Sequence, residues 1–169
     1  LINDQSVPAE LGAIAPWSDE TPLDSDEVEI PLYKEVELAA GEGKAHALEV
    51  NGRKVRFSLS TLRNAGVDPK NAVCGTATGT SMEPFIRHGS TIGIDTSKFM
   101  IVDGETYAIE HDGLLRIKYL YRQPGGGLRL RSENSEEYPD EFYNKDEAAQ
   151  RIRVIGWVWW ISSIRRWRG

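Results

Sequence analysis

Short apolar runs separated by turn residues dominate the chain. Residues 46–50 and 54–57 flank Asn51-Gly52, a pair suited to the positive-φ turn of a two-residue hairpin. Residues 60–65 form a short helical candidate, with Ser58 or Ser60 as its cap and Gly66 as its stop. Residues 72–76 and 91–95 read as strands on either side of a polar, glycine-bearing loop. Residues 105–110 and 114–121 pair naturally across His111-Asp112-Gly113. Gly125-Gly126-Gly127 then turns the chain into a strand at 128–131, and residues 151–161 form the last strand. Many short strands with little helix predict a mostly β, antiparallel fold. No internal repeat is visible.

Composition adds a boundary. Residues 1–28 hold Pro8, Pro16, Pro22 and seven acidic residues with few apolar runs, so they read as a flexible acidic linker or arm. Residues 29–169 read as one domain. Hydrophobic residues make up 40% of the 169, enough for a core, and the formal charge of −6 gives no basic footprint for nucleic acid. The single Cys74 excludes an internal disulfide, fits a reducing cytoplasm, and reads as a small buried residue rather than a nucleophile. No stretch approaches the ~20 apolar residues that span a bilayer, and no secretory signal is visible.

The candidate chemistry begins with Ser81. Taken alone, Gly79-Thr80-Ser81 is ordinary turn composition. Gly79 allows close backbone approach, Pro84 stiffens the exit, and Met82 and Phe85 read as packing residues that hold the turn. A serine hydroxyl needs a base before it becomes a nucleophile. The three histidines (His46, His88, His111) sit in no recognisable triad context and read as surface or turn residues. A lysine serves as base only when neutral, which requires burial to lower its pKa from ~10.4. Alternation puts Leu115, Ile117, Tyr119 and Tyr121 on the apolar face of their strand. It leaves Lys118 on a mixed face with Leu114, Arg116 and Leu120. On periodicity alone, Lys118 is therefore a solvated strand lysine as readily as a base. Ala39-Ala40-Gly41 is likewise generic loop composition. Alternation places Trp157 and Trp159 on one face of the last strand, with Val158 and Trp160 on the other. Two readings of these large aromatics stay open: internal packing, or a face covered by a partner chain.

The box Gly79-Thr80-Ser81-Met82-Glu83-Pro84 with Gly89 resembles that of the LexA and phage-repressor autopeptidases, with UmuD-type proteins as near relatives. Four further segments resemble the family in family order. They are Val36 to Gly41 (its Ala-Gly cleavage loop), Asp103 to Lys118 (its lysine-bearing hairpin), Ser132 to Pro139 and Val154 to Val158. The resemblance runs from about Ile30 to the C-terminus. It implies an antiparallel LexA-like autopeptidase fold with a short helix. The implied catalytic pair is Ser81 and Lys118, with the N–H groups of Ser81 and Met82 as oxyanion donors. It implies self-cleavage between Ala40 and Gly41, with Val36 and Leu38 filling apolar subsites and no cofactor or metal.

The implied partners are a second copy of the chain, the RecA–single-stranded DNA filament, and operator DNA. The last would be held through an N-terminal domain absent from this chain, which begins at Leu1 rather than Met. No membrane is implied and the expected location is the cytoplasm. The alternatives are a UmuD-like polymerase accessory protein and a dimerisation module whose dyad is unused.

Overall fold

The computed structural model describes Ser18, residues 20–33, residues 53–165 and Trp167. Among these residues nine strands and two short α-helices follow one another. Strands β1 (Glu27–Pro31) and β2 (Lys54–Ser58) form an antiparallel pair of their own. Helix α1 (Leu59–Ala65) follows β2 directly. The Ser58 side chain accepts from the Ser60 N–H at its start, and Gly66, at φ 66°, ends it in the left-handed conformation. β1 opens at Glu27, inside the last two residues of the segment read as an arm. The first arm of the predicted 46–57 hairpin and its Asn51-Gly52 turn lie outside the described residues. Among those described, β1 is the partner of the second arm.

The main sheet has seven strands, β3 (Ala72–Thr76), β4 (Thr91–Asp95), β5 (Thr106–His111), β6 (Leu114–Gln123), β7 (Gly127–Arg131), β8 (Glu141–Tyr143) and β9 (Ile152–Ser162). Their spatial order is β3-β4-β9-β5-β6-β7-β8, antiparallel throughout. β5 and β6 join through Asp112-Gly113, both at positive φ (50° and 85°), as the twist of a two-residue hairpin requires. This is the mostly antiparallel β fold of LexA-like C-terminal domains.

Besides β1, two elements lie outside those the sequence pattern predicts. β8 is three residues long. Helix α2 (Lys145–Arg151) carries no buried residue and starts from a capping box, in which Asn144 and Glu147 satisfy each other's backbone N–H.

The last strand departs from simple alternation. Gly93 pairs with Trp160 and Ile94 with Val158, so Trp159 is an extra residue in a bulge. Trp159 and Trp160 consequently reach the same partner instead of opposite faces. Their rings lie 5.3 and 4.7 Å from that of Phe57 on β2, and Val158 turns to a different apolar cluster. Cover for these indoles is thus supplied from within the chain. A second shift between Ala108 and Ile109 brings Gly156 under the Asp95 carbonyl. Among the described residues three apolar clusters form the core. One lies between β1–β2, α1 and β9, one beneath the 77–86 loop, and one under β5–β7. Among the described residues, no helix is long and apolar enough to cross a membrane.

Candidate active site

The loop between β3 and β4 is held by its own backbone. Ala77 donates to the Ser90 carbonyl and Gly89 to the Ala77 carbonyl, closing the loop at its base. Gly79, at φ 82°, turns the chain and donates its N–H to His88 Nδ1 at 3.0 Å. Glu83 accepts from the His88 N–H, and its bond to Pro84 is cis. Met82 and Ile86 point into the core at 4% and 1% exposure. Burying these two apolar anchors leaves Ser81 between them and solvent, half-buried. Phe85 does not join the core: it is exposed and stacks on Tyr119 with ring centroids 6.4 Å apart.

Lys118 comes from the middle of β6 and is 2% exposed. Its strand is buried on both faces here. Ile117 faces the cluster under the serine loop and Leu120 the cluster on the other side. Lys118 Nζ donates to Ser81 Oγ across 2.6 Å. Burial, with Arg116 adding to it and Glu141 opposing, lowers the amine to about 8. The two residues share a cleft of about 190 Å³ walled by residues 76–82, Ile86, the 115–118 segment of β6, and Tyr138. Among the described residues, no group accepts the N–H of Ser81 or of Met82. Both donors remain open. Ala40, Gly41, Val36 and Leu38 lie outside the described residues.

The β7–β8 loop clamps the serine turn. Asn134 donates its backbone N–H to the Ser81 carbonyl at 3.0 Å, and the Tyr138 hydroxyl shares a 2.8 Å hydrogen bond with Thr80 Oγ1. The Tyr138 ring sits 5.9 Å from Lys118 Nζ. The sequence carried these residues only as part of a resembling segment, without a role.

His111 differs from its expected turn position. It ends β5, is 7% exposed, and accepts a 2.7 Å hydrogen bond at Nδ1 from Arg116. The Arg116 guanidinium also grips both oxygens of the Glu141 carboxylate, which Tyr143 supports through its hydroxyl. Nothing in the sequence spacing marked this cluster. Cys74 is fully buried on β3 and its thiol is pushed up to about 12 by burial, so it offers no thiolate beside the serine. Among the described residues, no group of His, Cys, Asp and Glu is placed to hold a metal ion.

The site is thus a mostly antiparallel sheet whose loop serine and buried strand lysine meet in hydrogen-bond contact at the floor of a cleft. The Peptidase S24-like family model matches residues 31–159, and the chain belongs to that family, as a LexA/phage-repressor C-terminal domain. Over 163 residues it is 58% identical to the HTH-type transcriptional regulator PrtR of Pseudomonas aeruginosa, covering 96% of this chain and 64% of PrtR. Over 159 residues it is 45% identical to the repressor protein CI of Enterobacteria phage phi80, covering 93% of this chain and 65% of that repressor. The chain thus spans a little under two thirds of the length of either relative.

Proposed function

We propose that this domain is the regulatory part of a transcriptional repressor that cleaves itself between Ala40 and Gly41. The observation that carries the reading is the 2.6 Å contact between Lys118 Nζ and Ser81 Oγ in a buried cleft. Neutral Lys118 takes the Ser81 proton while Oγ attacks the Ala40 carbonyl carbon. The N–H groups of Ser81 and Met82 hold the developing oxyanion. Collapse breaks the Ala40–Gly41 C–N bond, and the lysine ammonium returns its proton to the Gly41 amine. Water, deprotonated by the same lysine, then hydrolyses the Ala40 ester on Ser81 and restores both groups.

The path of the chain favours an intramolecular substrate. Leu32 bridges Cys74 in parallel, with the Tyr33 N–H bonded to the Cys74 carbonyl. Leu32 and Tyr33 therefore run in the direction in which β3 runs toward Thr76 and the cleft. Small residues on both sides of the scissile bond suit a narrow site. Holding bond and nucleophile in one molecule supplies the proximity term.

On this reading cleavage separates the domain from an N-terminal operator-binding domain and relieves repression in the cytoplasm. The RecA–single-stranded DNA filament acts as trigger by stabilising the docked loop. The domain itself pairs as a homodimer, which sedimentation at tens of micromolar tests. The repressor names of both relatives favour this over a UmuD-like accessory role. The test of the function is a full-length Ser81→Ala protein in damaged cells. Its target promoter should stay repressed while the unaltered protein releases it. Equal release by both would overturn the proposal.

A further inference from the structure

We propose that Arg116, pinned by Glu141, is a positioning residue for the Ser81–Lys118 pair: its fixed positive charge keeps the lysine amine in the proton-accepting form. The inference rests on the self-cleavage reading and adds to it the device that prepares the base.

The geometry is specific. Arg116 and Lys118 are two residues apart on β6, so their side chains leave the same face about 7 Å apart. Arg116 also lines the cleft that holds Ser81. Its guanidinium is not free to swing away. Nη1 donates to Glu141 at 2.9 Å and to His111 Nδ1 at 2.7 Å, and Nη2 donates to the other Glu141 oxygen. The carboxylate is itself fixed by the Tyr143 hydroxyl at 2.7 Å. Three elements, β5, β6 and β8, thus hold one cation beside the lysine.

The other groups around Lys118 do not supply that charge. Ser81 and Tyr138 bring hydroxyls. Tyr107, its register partner on β5, turns its hydroxyl to Met100 and Val102. His111 is kept neutral, because burial disfavours its charged form and Arg116 occupies its Nδ1 lone pair. That leaves Arg116 and Glu141 as the charges acting on the amine, in opposite directions. Arg116 has the larger effect of the two, and it lines the cleft that holds the amine whereas Glu141 does not. Glu141 therefore has two effects: it anchors the guanidinium and partly cancels its field.

The test compares Arg116→Gln, Arg116→Lys and Glu141→Gln in the 169-residue chain. One readout is the pH midpoint of self-cleavage. The other is the titration of Lys118 by NMR of lysine labelled at Cε, in a Ser81→Ala background, with the signal assigned by its loss on Lys118→Met. Arg116→Gln should raise both midpoints by about half a unit to one unit, slowing cleavage near pH 7 roughly 3- to 10-fold and leaving the high-pH plateau in place. Arg116→Lys, which keeps the charge but not the two-pronged grip on Glu141, should shift the midpoints less than Arg116→Gln does. Glu141→Gln, whose amide oxygen still accepts from the guanidinium while the negative charge is gone, should lower the midpoints. An unmoved midpoint with a rate reduced equally at every pH would mean a structural role only and overturn the proposal. If Arg116→Gln fails to fold, the Glu141→Gln shift decides alone: an upward shift or none overturns it. If the unaltered chain does not cleave, the self-cleavage reading falls, and the NMR titration still decides whether Arg116 sets the lysine.

Discussion

Lys118 Nζ lies 2.6 Å from Ser81 Oγ, and the lysine that reaches it is 2% exposed. A strand lysine this deep is costly unless it gives up its proton. Its amine is lowered to about 8, with burial the largest cause. The group therefore works against stability where it is protonated and favours stability where it is neutral. An unfolded lysine titrates near its ordinary 10.5. Its stabilising contribution is complete above that value and is lost as pH falls through about 8.

Lys118→Met should therefore stabilise the fold at pH 7 while removing the base. A rise in Tm of roughly 2–6 °C is expected, shrinking as the pH is raised toward 10.5. Thermal melts at pH 7 and pH 10 check it. A lower Tm at both would mean that the lysine is structural.

His111 makes the opposite end of the pH range informative. Burial first, and then Arg116, hold its charged form down. Its contribution to stability is complete above the ordinary value of 6.5 and is lost as pH falls below it. Protonation at Nδ1 also removes the acceptor that Arg116 uses. The urea midpoint should fall between pH 7 and pH 5, and His111→Gln should flatten that dependence. An equal slope in both proteins would assign the acid sensitivity elsewhere.

Gly156 shows where the sheet has no room. A Cβ there would lie 2.3 Å from the Asp95 carbonyl oxygen, a backbone atom that cannot step aside. Gly156→Ala should cost about 2–4 kcal/mol, read by urea denaturation. A change under about 0.5 kcal/mol would show that β9 shifts freely against β4.

Much of the sheet was legible because its strands are short apolar runs bounded by turn residues, and its turns carry the residues their φ angles demand. Residues 72–76 and 91–95 and the hairpin across Asp112-Gly113 are of this kind. Helix α1 was legible from Ser58 and Gly66 at its ends. The bulge at Trp159 was not, since one extra residue leaves no mark on a run of aromatics yet brings both indoles to Phe57. Helix α2 was not legible because it has no buried residue and only Ala148 packs against the core, so no apolar period announces it. Ser81 and Lys118 were singled out by resemblance. Periodicity alone left Lys118 on a mixed face, and its burial depends on the loops at 77–86 and 132–140 that close over it. The Arg116–Glu141 contact joins residues 25 apart across a sheet and had no local signature.

The central claim is that Ser81 and Lys118 cut the chain's own Ala40–Gly41 bond. The most direct measurement is the intact mass of the purified chain, incubated alone at a series of pH values from 7 to 10, beside Ser81→Ala and Lys118→Ala. Fragments 1–40 and 41–169 should accumulate faster as pH rises toward the lysine's value of about 8 and then level off, the larger fragment beginning Gly-Glu-Gly-Lys. Both variants should stay whole while keeping the fold. Fragments from Ser81→Ala, a product starting at Val67 or elsewhere, or a rate that levels off near pH 7 and depends on His88 or His111 but not on Lys118 would contradict it.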